Sequence, residues 1–117
     1  MPEPRLRPLA ELVPARLRAA RGVLTDIDDT LTRDGAIEPV ALAALQRLHA
    51  QGVPVIAITG RPSGWSEPFA AAWPVLAIVA ENGGVMLRAA SGRVERDYAQ
   101  DDETRESNFA RLQACAR

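Results

Sequence analysis

Three acids crowd into four positions of this chain, Asp26, Asp28 and Asp29, directly after the run Gly22-Val23-Leu24-Thr25 and before Thr30-Leu31-Thr32. An apolar run that ends abruptly in carboxylates predicts a buried strand delivering acids to its C-terminal edge. In open α/β sheets that edge is where ligands bind. Residues i and i+2 of a strand share a face, so the spacing predicts that Asp26 and Asp28 look into one crevice while Ile27 points into the core. Two carboxylates about 6 Å apart repel by about 3 kcal/mol at an effective dielectric near 20. A hard divalent cation with oxygen ligands would offset this, and Mg²⁺ is the usual choice when phosphate and water complete its shell. That division of labour suits phosphoryl transfer: one Asp attacks phosphorus, and the other, its pKa raised, hands a proton to the leaving alkoxide. The alternative is an acidic turn in which Asp29 or Thr30 caps the next segment.

Two later strand ends carry compatible chemistry. The apolar run Val53–Ile58 ends in Thr59-Gly60-Arg61-Pro62. A hydroxyl and backbone amides there can hold a phosphoryl oxygen, and Gly60 lets the backbone come close. Arg61 either contacts a substrate phosphate or pairs with a surface acid. The run Val75–Val79 leads into Ala80-Glu81-Asn82-Gly83-Gly84, which reads on its own as a hairpin turn into Val85-Met86-Leu87-Arg88.

Asp26-Ile27-Asp28-Asp29-Thr30-Leu31 resembles the first signature of the haloacid dehalogenase superfamily of aspartate-nucleophile phosphohydrolases, and the strand ending in Thr59 resembles the second. The resemblance implies that Asp26 is the nucleophile and Asp28 the general acid/base. It also implies Mg²⁺ on the Asp26 carboxylate and the Asp28 main-chain carbonyl. The Glu81-Asn82-Gly83 segment is similar to that of the Cof-type subgroup, which includes sugar-phosphate phosphatases, and implies a substrate-side Asn82. The implied fold is a doubly wound, Rossmann-like α/β sheet present as an incomplete core without a full cap domain. Two departures stand out: all 14 basic residues are Arg, so no Lys can serve as the third signature, and no strand ends in the acidic pair of the fourth. Asp101-Asp102 follows no apolar strand, and acids in a helix's first turn need no catalytic explanation. These departures set a weakly active or inactive chain, and a non-catalytic remnant that binds metal, phosphate or a protein partner, beside the phosphatase. A receiver domain built on Asp28-Asp29 would also need a phospho-acceptor Asp at a later strand end and a Lys, but those strand ends carry Thr59 and Glu81 and the chain has no Lys.

The elements that must position these residues follow from periodicity. Leu9, Leu12, Val13, Leu17 and Ala20 predict a short helix over residues 8–21, broken at Pro14, lying on the sheet. Arg33–Ile37 predicts a polar loop, which the resemblance makes a flap over the site. Pro39 begins a helix with the stripe Ala41, Ala44, Leu45 and Leu48, ended by Gly52. His49, the only histidine, falls in its last turn, where a surface or packing role is expected. Trp65, Phe69 and Trp73 predict an aromatic core stripe on a helix within residues 63–73 whose body begins near Glu67-Pro68. A turn at Ala89–Gly92 and the run Arg93–Tyr98 predict a returning strand, and Phe109, Leu112 and Ala116 mark one face of a helix over residues 104–117. Residues 1–21 are thus a helical lead, 22–88 a βαβαβ core, and 89–117 a hairpin with the start of a cap or linker helix.

With 117 residues and 47% apolar content the chain can build one small core. A net charge of −1 and 4% aromatic residues argue against nucleic-acid binding, and the resemblance implies a small phosphorylated metabolite as the partner. No apolar run approaches the ~18 residues that span a bilayer, and the first eight residues lack the apolar stretch of a secretory signal. The lone Cys115 fits a reducing cytoplasm. An unfinished sheet edge predicts a tendency to self-associate.

Overall fold

The computed structural model describes residues 1 and 5–116, so the reading of Pro2–Pro4 and the last residue of the expected final helix lie outside the described residues. The N-terminal segment departs from expectation. Instead of one helix on the sheet it forms a 3₁₀ turn at Leu9–Glu11 and a five-residue helix α1 (Pro14–Arg18), with Leu9, Val13 and Leu17 exposed. Pro14 sits at the first helical position, so it starts a new helix.

Strand β1 (Val23–Asp26) leads into the segment carrying the acids. The polar loop expected over residues 33–37 is a miniature ribbon, β2 (Thr32–Arg33) against β3 (Ala36–Ile37). Asp34 and Gly35 both have positive φ, which suits the twist of a two-residue hairpin. Helix α2 (Pro39–Ala50) buries Leu45 and half-buries Ala41, Leu42 and Leu48, so Leu42 takes the place assigned to Ala44. His49 is exposed. Strand β4 (Val55–Ile58) follows, then α3 (Ser63–Ala72), which fills the expected stretch 63–73 but is regular helix from Ser63, ahead of the body expected from Glu67, and carries Pro68 in its interior. Strand β5 (Ala77–Ala80) ends in a 3₁₀ turn, and β6 (Val85–Ala90), β7 (Arg93–Tyr98) and α4 (Asp102–Cys115) complete the chain.

Five strands make one mixed sheet in the order β1-β4-β5-β6-β7, parallel from β1 to β5 and antiparallel through the β6–β7 hairpin. This is a Rossmann-type α/β arrangement. Both crossovers step the same way across the sheet, so right-handed connections put α2 and α3 on one face. On that face Val55, Ala57, Ile78, Ala80, Val85 and Leu87 are all buried, and Ala70 of α3 and Trp73, which caps its end, join all of these but Val55 in one cluster with Ile27. The aromatic stripe is core, as its spacing predicts: Phe69 stacks on Trp73 at 4.5 Å and meets Trp65 edge-on at 4.8 Å. Glu67 ties α3 to Arg96 of β7.

The alternate residues of the same strands face away from the helices: Leu24, Ile56, Ile58, Val79 and Met86. Leu24 is 70% exposed and Ile58 39%. So β1, expected to be buried, is an edge strand with one face open. Ala77, on the same face in the centre of the sheet, is buried.

Two predictions test this frame. Leu87→Ala opens a cavity in the covered core and should cost about 2–5 kcal/mol, whereas Leu9→Ala should change stability by less than about 0.5 kcal/mol, both read from urea unfolding. Asp101 caps α4 by accepting from the Thr104 amide at 2.7 Å, and that bond lowers its pKa below the ordinary carboxylate value. A depressed folded pKa means that the stabilisation is present at neutral pH and lost as pH falls through the folded value. The Thr104 amide proton shift should therefore titrate in the acid range, and in Asp101→Asn, whose side chain still accepts, it should stay flat.

Candidate active site

Backbone pairing does the first part of the assembly. In the parallel ladder Asp26 is level with Ile58 and Ile58 with Val79, so the C-terminal ends of β1, β4 and β5 form one rim. Thr59, Gly60 and Arg61 leave β4 at this rim, and Glu81 and Asn82 leave β5. The two loops are stitched together by main-chain bonds: Thr59 donates to Val79, Glu81 donates to Arg61, and Asn82 donates to Thr59. Glu81, Asn82 and Gly83 all have positive φ, so the chain curls back over the Thr59–Arg61 loop. A Cβ on Gly60 would lie 2.8 Å from the Asn82 side-chain oxygen, so the Asn82 amide rests directly on the glycine. That close approach is the reason for glycine here.

The acids are held differently from expectation. Strand β1 stops at Asp26, so Asp28 lies beyond it and the i, i+2 strand argument does not apply. The chain instead winds around the carbonyl of buried Ile27, which accepts from the amides of Thr30, Leu31 and Thr32 and from the Thr32 hydroxyl. Asp29 takes a left-handed conformation to close this turn. Each carboxylate then has its own partner. Asp26 accepts from the Thr30 hydroxyl at 3.0 Å. Asp28 receives a forked pair from Arg61, Nε at 3.2 Å and a terminal nitrogen at 3.3 Å.

Of the two roles open to Arg61, the structure shows pairing with an acid, and that acid is Asp28. The repulsion between Asp26 and Asp28 is thus relieved on one side by a guanidinium. The pair is half exposed, so it contributes less than about 1 kcal/mol. Its alignment is reinforced from below, because the guanidinium carbon sits 4.8 Å from the Trp65 ring centre. Thr59 is buried and its hydroxyl accepts from the Arg61 amide at 3.1 Å, fixing the start of the loop.

All six expected site residues, Asp26, Asp28, Thr59, Gly60, Arg61 and Asn82, therefore lie along one rim. Sequence reasoning missed Thr30 as the partner of Asp26 and Trp65 as the support of Arg61. Both stand four residues after the group they serve, and that interval was a readable signal. Among the described residues no group of three or more His, Cys, Asp or Glu is gathered to hold a metal. Asp26 retains an oxygen that Thr30 does not engage, so the donor set fits a Mg²⁺ shared with substrate phosphate and water better than an all-protein cage.

The family model for haloacid dehalogenase-like hydrolases matches residues 23–111, from the first residue of β1 into α4. This chain belongs to that family. Among solved structures it is similar to a phosphatase of the haloalkanoate enzyme superfamily from Bacteroides thetaiotaomicron, at 25% identity and a TM-score of 0.56, over 90% of this chain and 40% of that one. Two others share the fold. One is a hypothetical protein from Geobacillus kaustophilus, at 23% identity and TM-score 0.55, over 82% of this chain and 37% of that one. The other is a haloacid dehalogenase-like hydrolase from B. subtilis, at 21% identity and TM-score 0.54, over 81% of this chain and 34% of that one. This haloacid dehalogenase-like chain thus spans at most two fifths of the length of these structures. A search of curated proteins finds no match to it. No helix among its described residues is long and apolar enough to cross a membrane.

Gly60→Ala should push the Asn82 amide off the loop. Because that amide is the free end of a side chain, stability should change by less than about 1 kcal/mol, while the Asn82 side-chain NH₂ resonances should shift in a ¹⁵N correlation spectrum.

Proposed function

We propose that this chain carries the nucleophile half of a Mg²⁺-dependent phosphomonoester hydrolase that works through an aspartyl phosphate. The observation that carries the reading is the parallel β1–β4 register, which sets Asp26 beside the Thr59-Gly60-Arg61 loop. In the proposed reaction an Asp26 oxygen attacks phosphorus in line, the bond from phosphorus to the alkoxide breaks, and protonated Asp28 gives its proton to that alkoxide. Water then attacks the aspartyl phosphate while the Asp28 carboxylate takes its proton, releasing inorganic phosphate and restoring Asp26. Mg²⁺, held by the Asp26 carboxylate and the Asp28 main-chain carbonyl, would neutralise charge on the transferring group.

The Thr59 hydroxyl and the Gly60 amide are the proposed phosphate ligands, with Asn82 on the substrate side. Arg61 would bind phosphate once it releases Asp28. A small sugar phosphate is the proposed substrate and the Cof-type branch the proposed subgroup, on the strength of the Glu81-Asn82-Gly83 segment. A cytoplasmic setting, with neither nucleic acid nor membrane as partner, goes with that substrate.

A second reading has its own observation. With no lysine in the chain, and with Arg61 already spent on Asp28, little positive charge is left for a transition state. A non-catalytic remnant that binds metal and phosphate would have this composition. Turnover of p-nitrophenyl phosphate with Mg²⁺ separates the two. The hydrolase reading expects a slow wild-type rate that falls at least about a hundredfold in Asp26→Asn, comparable to losing a major electrostatic contact. Equal rates for the two proteins, with magnesium and phosphate binding retained in calorimetry, would establish the remnant.

A further inference from the structure

Arg61 is the only base on the three segments that make the rim, residues 26–32, 59–62 and 80–84. Its main chain is fixed on both sides: the amide donates to the Thr59 hydroxyl at 3.1 Å, and the carbonyl accepts from the Glu81 amide at 3.0 Å. The side chain is held far less firmly. It is about half exposed where it meets Asp28, and its two bonds there, at 3.2 and 3.3 Å, are longer than the ~2.7–2.9 Å usual between charged partners. Loose as it is, the fork engages both Asp28 oxygens, so neither is open to a substrate.

Beside this pair stand two donors that meet no acceptor among the described residues. The Thr59 hydroxyl accepts from the Arg61 amide but donates to no group, and the Gly60 amide, outside any strand, donates to none either. An oxyanion taken up by these donors would lie next to the root of the Arg61 side chain. Charge then decides which partner the guanidinium keeps. A phosphate monoester carries about −1.5 to −2 near neutral pH against −1 for a carboxylate, so at equal distance it attracts the guanidinium up to about twice as strongly. Both also offer the pair of oxygens that a guanidinium fork reads. The Asp28 carboxylate left behind is 37% exposed and can be hydrated where it stands. Trp65 keeps the exchange local: its ring, held edge-on by Phe69, lies 4.8 Å from the guanidinium carbon and attracts a cation over its face whichever way the fork points.

We propose that Arg61 is a two-position latch. In the empty site it closes off Asp28, and an oxyanion seated on the Thr59 hydroxyl and the Gly60 amide draws it away. Asp28 thus opens to a leaving-group oxygen only once a phosphoryl group is in place. The latch rests on the reading of Thr59 and Gly60 as phosphate ligands, and adds an order of events to it: the anion binds before the acid is exposed.

Sulfate, a dianion that does not titrate near neutral pH, is the probe. In NMR spectra of the full chain, with sulfate replacing chloride at constant ionic strength, the Gly60 amide, the Arg61 Nε–H and the Asp28 side-chain carboxyl carbon should all shift with one midpoint. Arg61→Gln should weaken sulfate binding at least about fivefold, as expected for losing a charged hydrogen-bond donor, while the Gly60 amide still responds. In Asp28→Ala, which removes the fork, the Arg61 Nε–H should leave its wild-type position before any sulfate is added. A Gly60 amide that shifts while Arg61 Nε–H and the Asp28 carboxyl stay still would overturn the latch and leave the phosphate reading standing, as would an Arg61 Nε–H indifferent to Asp28→Ala. Sulfate that moves none of the three would remove the phosphate reading and the latch with it.

Discussion

Parallel pairing between β1 and β4 is the constraint on which the rest of this molecule depends. It makes Asp26 level with Ile58, and the next residues of the two strands leave the sheet together at one end. A slip of one residue would turn Val55 and Ala57 out of the covered core and exchange them for Ile56 and Ile58, so burial enforces the register that the rim needs. The same packing that stabilises the sheet therefore aligns the candidate catalytic groups, and the polar residues need only leave the strands at their ends.

What the loops add is precision at short range. Ile27 is the hinge of this arrangement: its side chain is wholly buried, while its carbonyl gathers three amides and a hydroxyl. The anchored carbonyl holds the acidic turn in shape without any strand beyond Asp26. On the other side, main-chain bonds between the Thr59–Arg61 and Glu81–Asn82 segments make two loops behave as one. Arg61 joins the two halves through Asp28, and Trp65 carries that arginine on the first turn of α3. Residues that are far apart in the chain thus report on one another's position through backbone geometry more than through strong side-chain pairs.

The order of strands and helices was legible in the chain because apolar runs, glycines and prolines punctuate it strongly. Val53–Ile58 and Val75–Val79 were recognisable as strands, and Pro39 and Gly52 as bounds of a helix. The failures have physical reasons as well. Residues 8–21 have helical spacing but find no surface to pack on, and a short helix without tertiary contact has little to hold it together. Within the expected stretch 63–73 the body of α3 was placed too late because Glu67-Pro68 looked like an opening turn, although the buried Ser66, donating back to the Pro62 carbonyl, shows the helix already formed.

Residue types by themselves determined which groups could do chemistry here and in which order they occur: acids after one strand, a threonine and glycine after the next, an amide after the third. They also determined what is lacking, since a chain with arginine as its sole strong base has no flexible ammonium to offer a phosphate. Which acid meets Arg61, which residue steadies Asp26, and which sheet face stays uncovered were decided only in three dimensions. These outcomes depend on backbone direction at turns and on what packs against each face of a strand. Neither is encoded in any single stretch of residues.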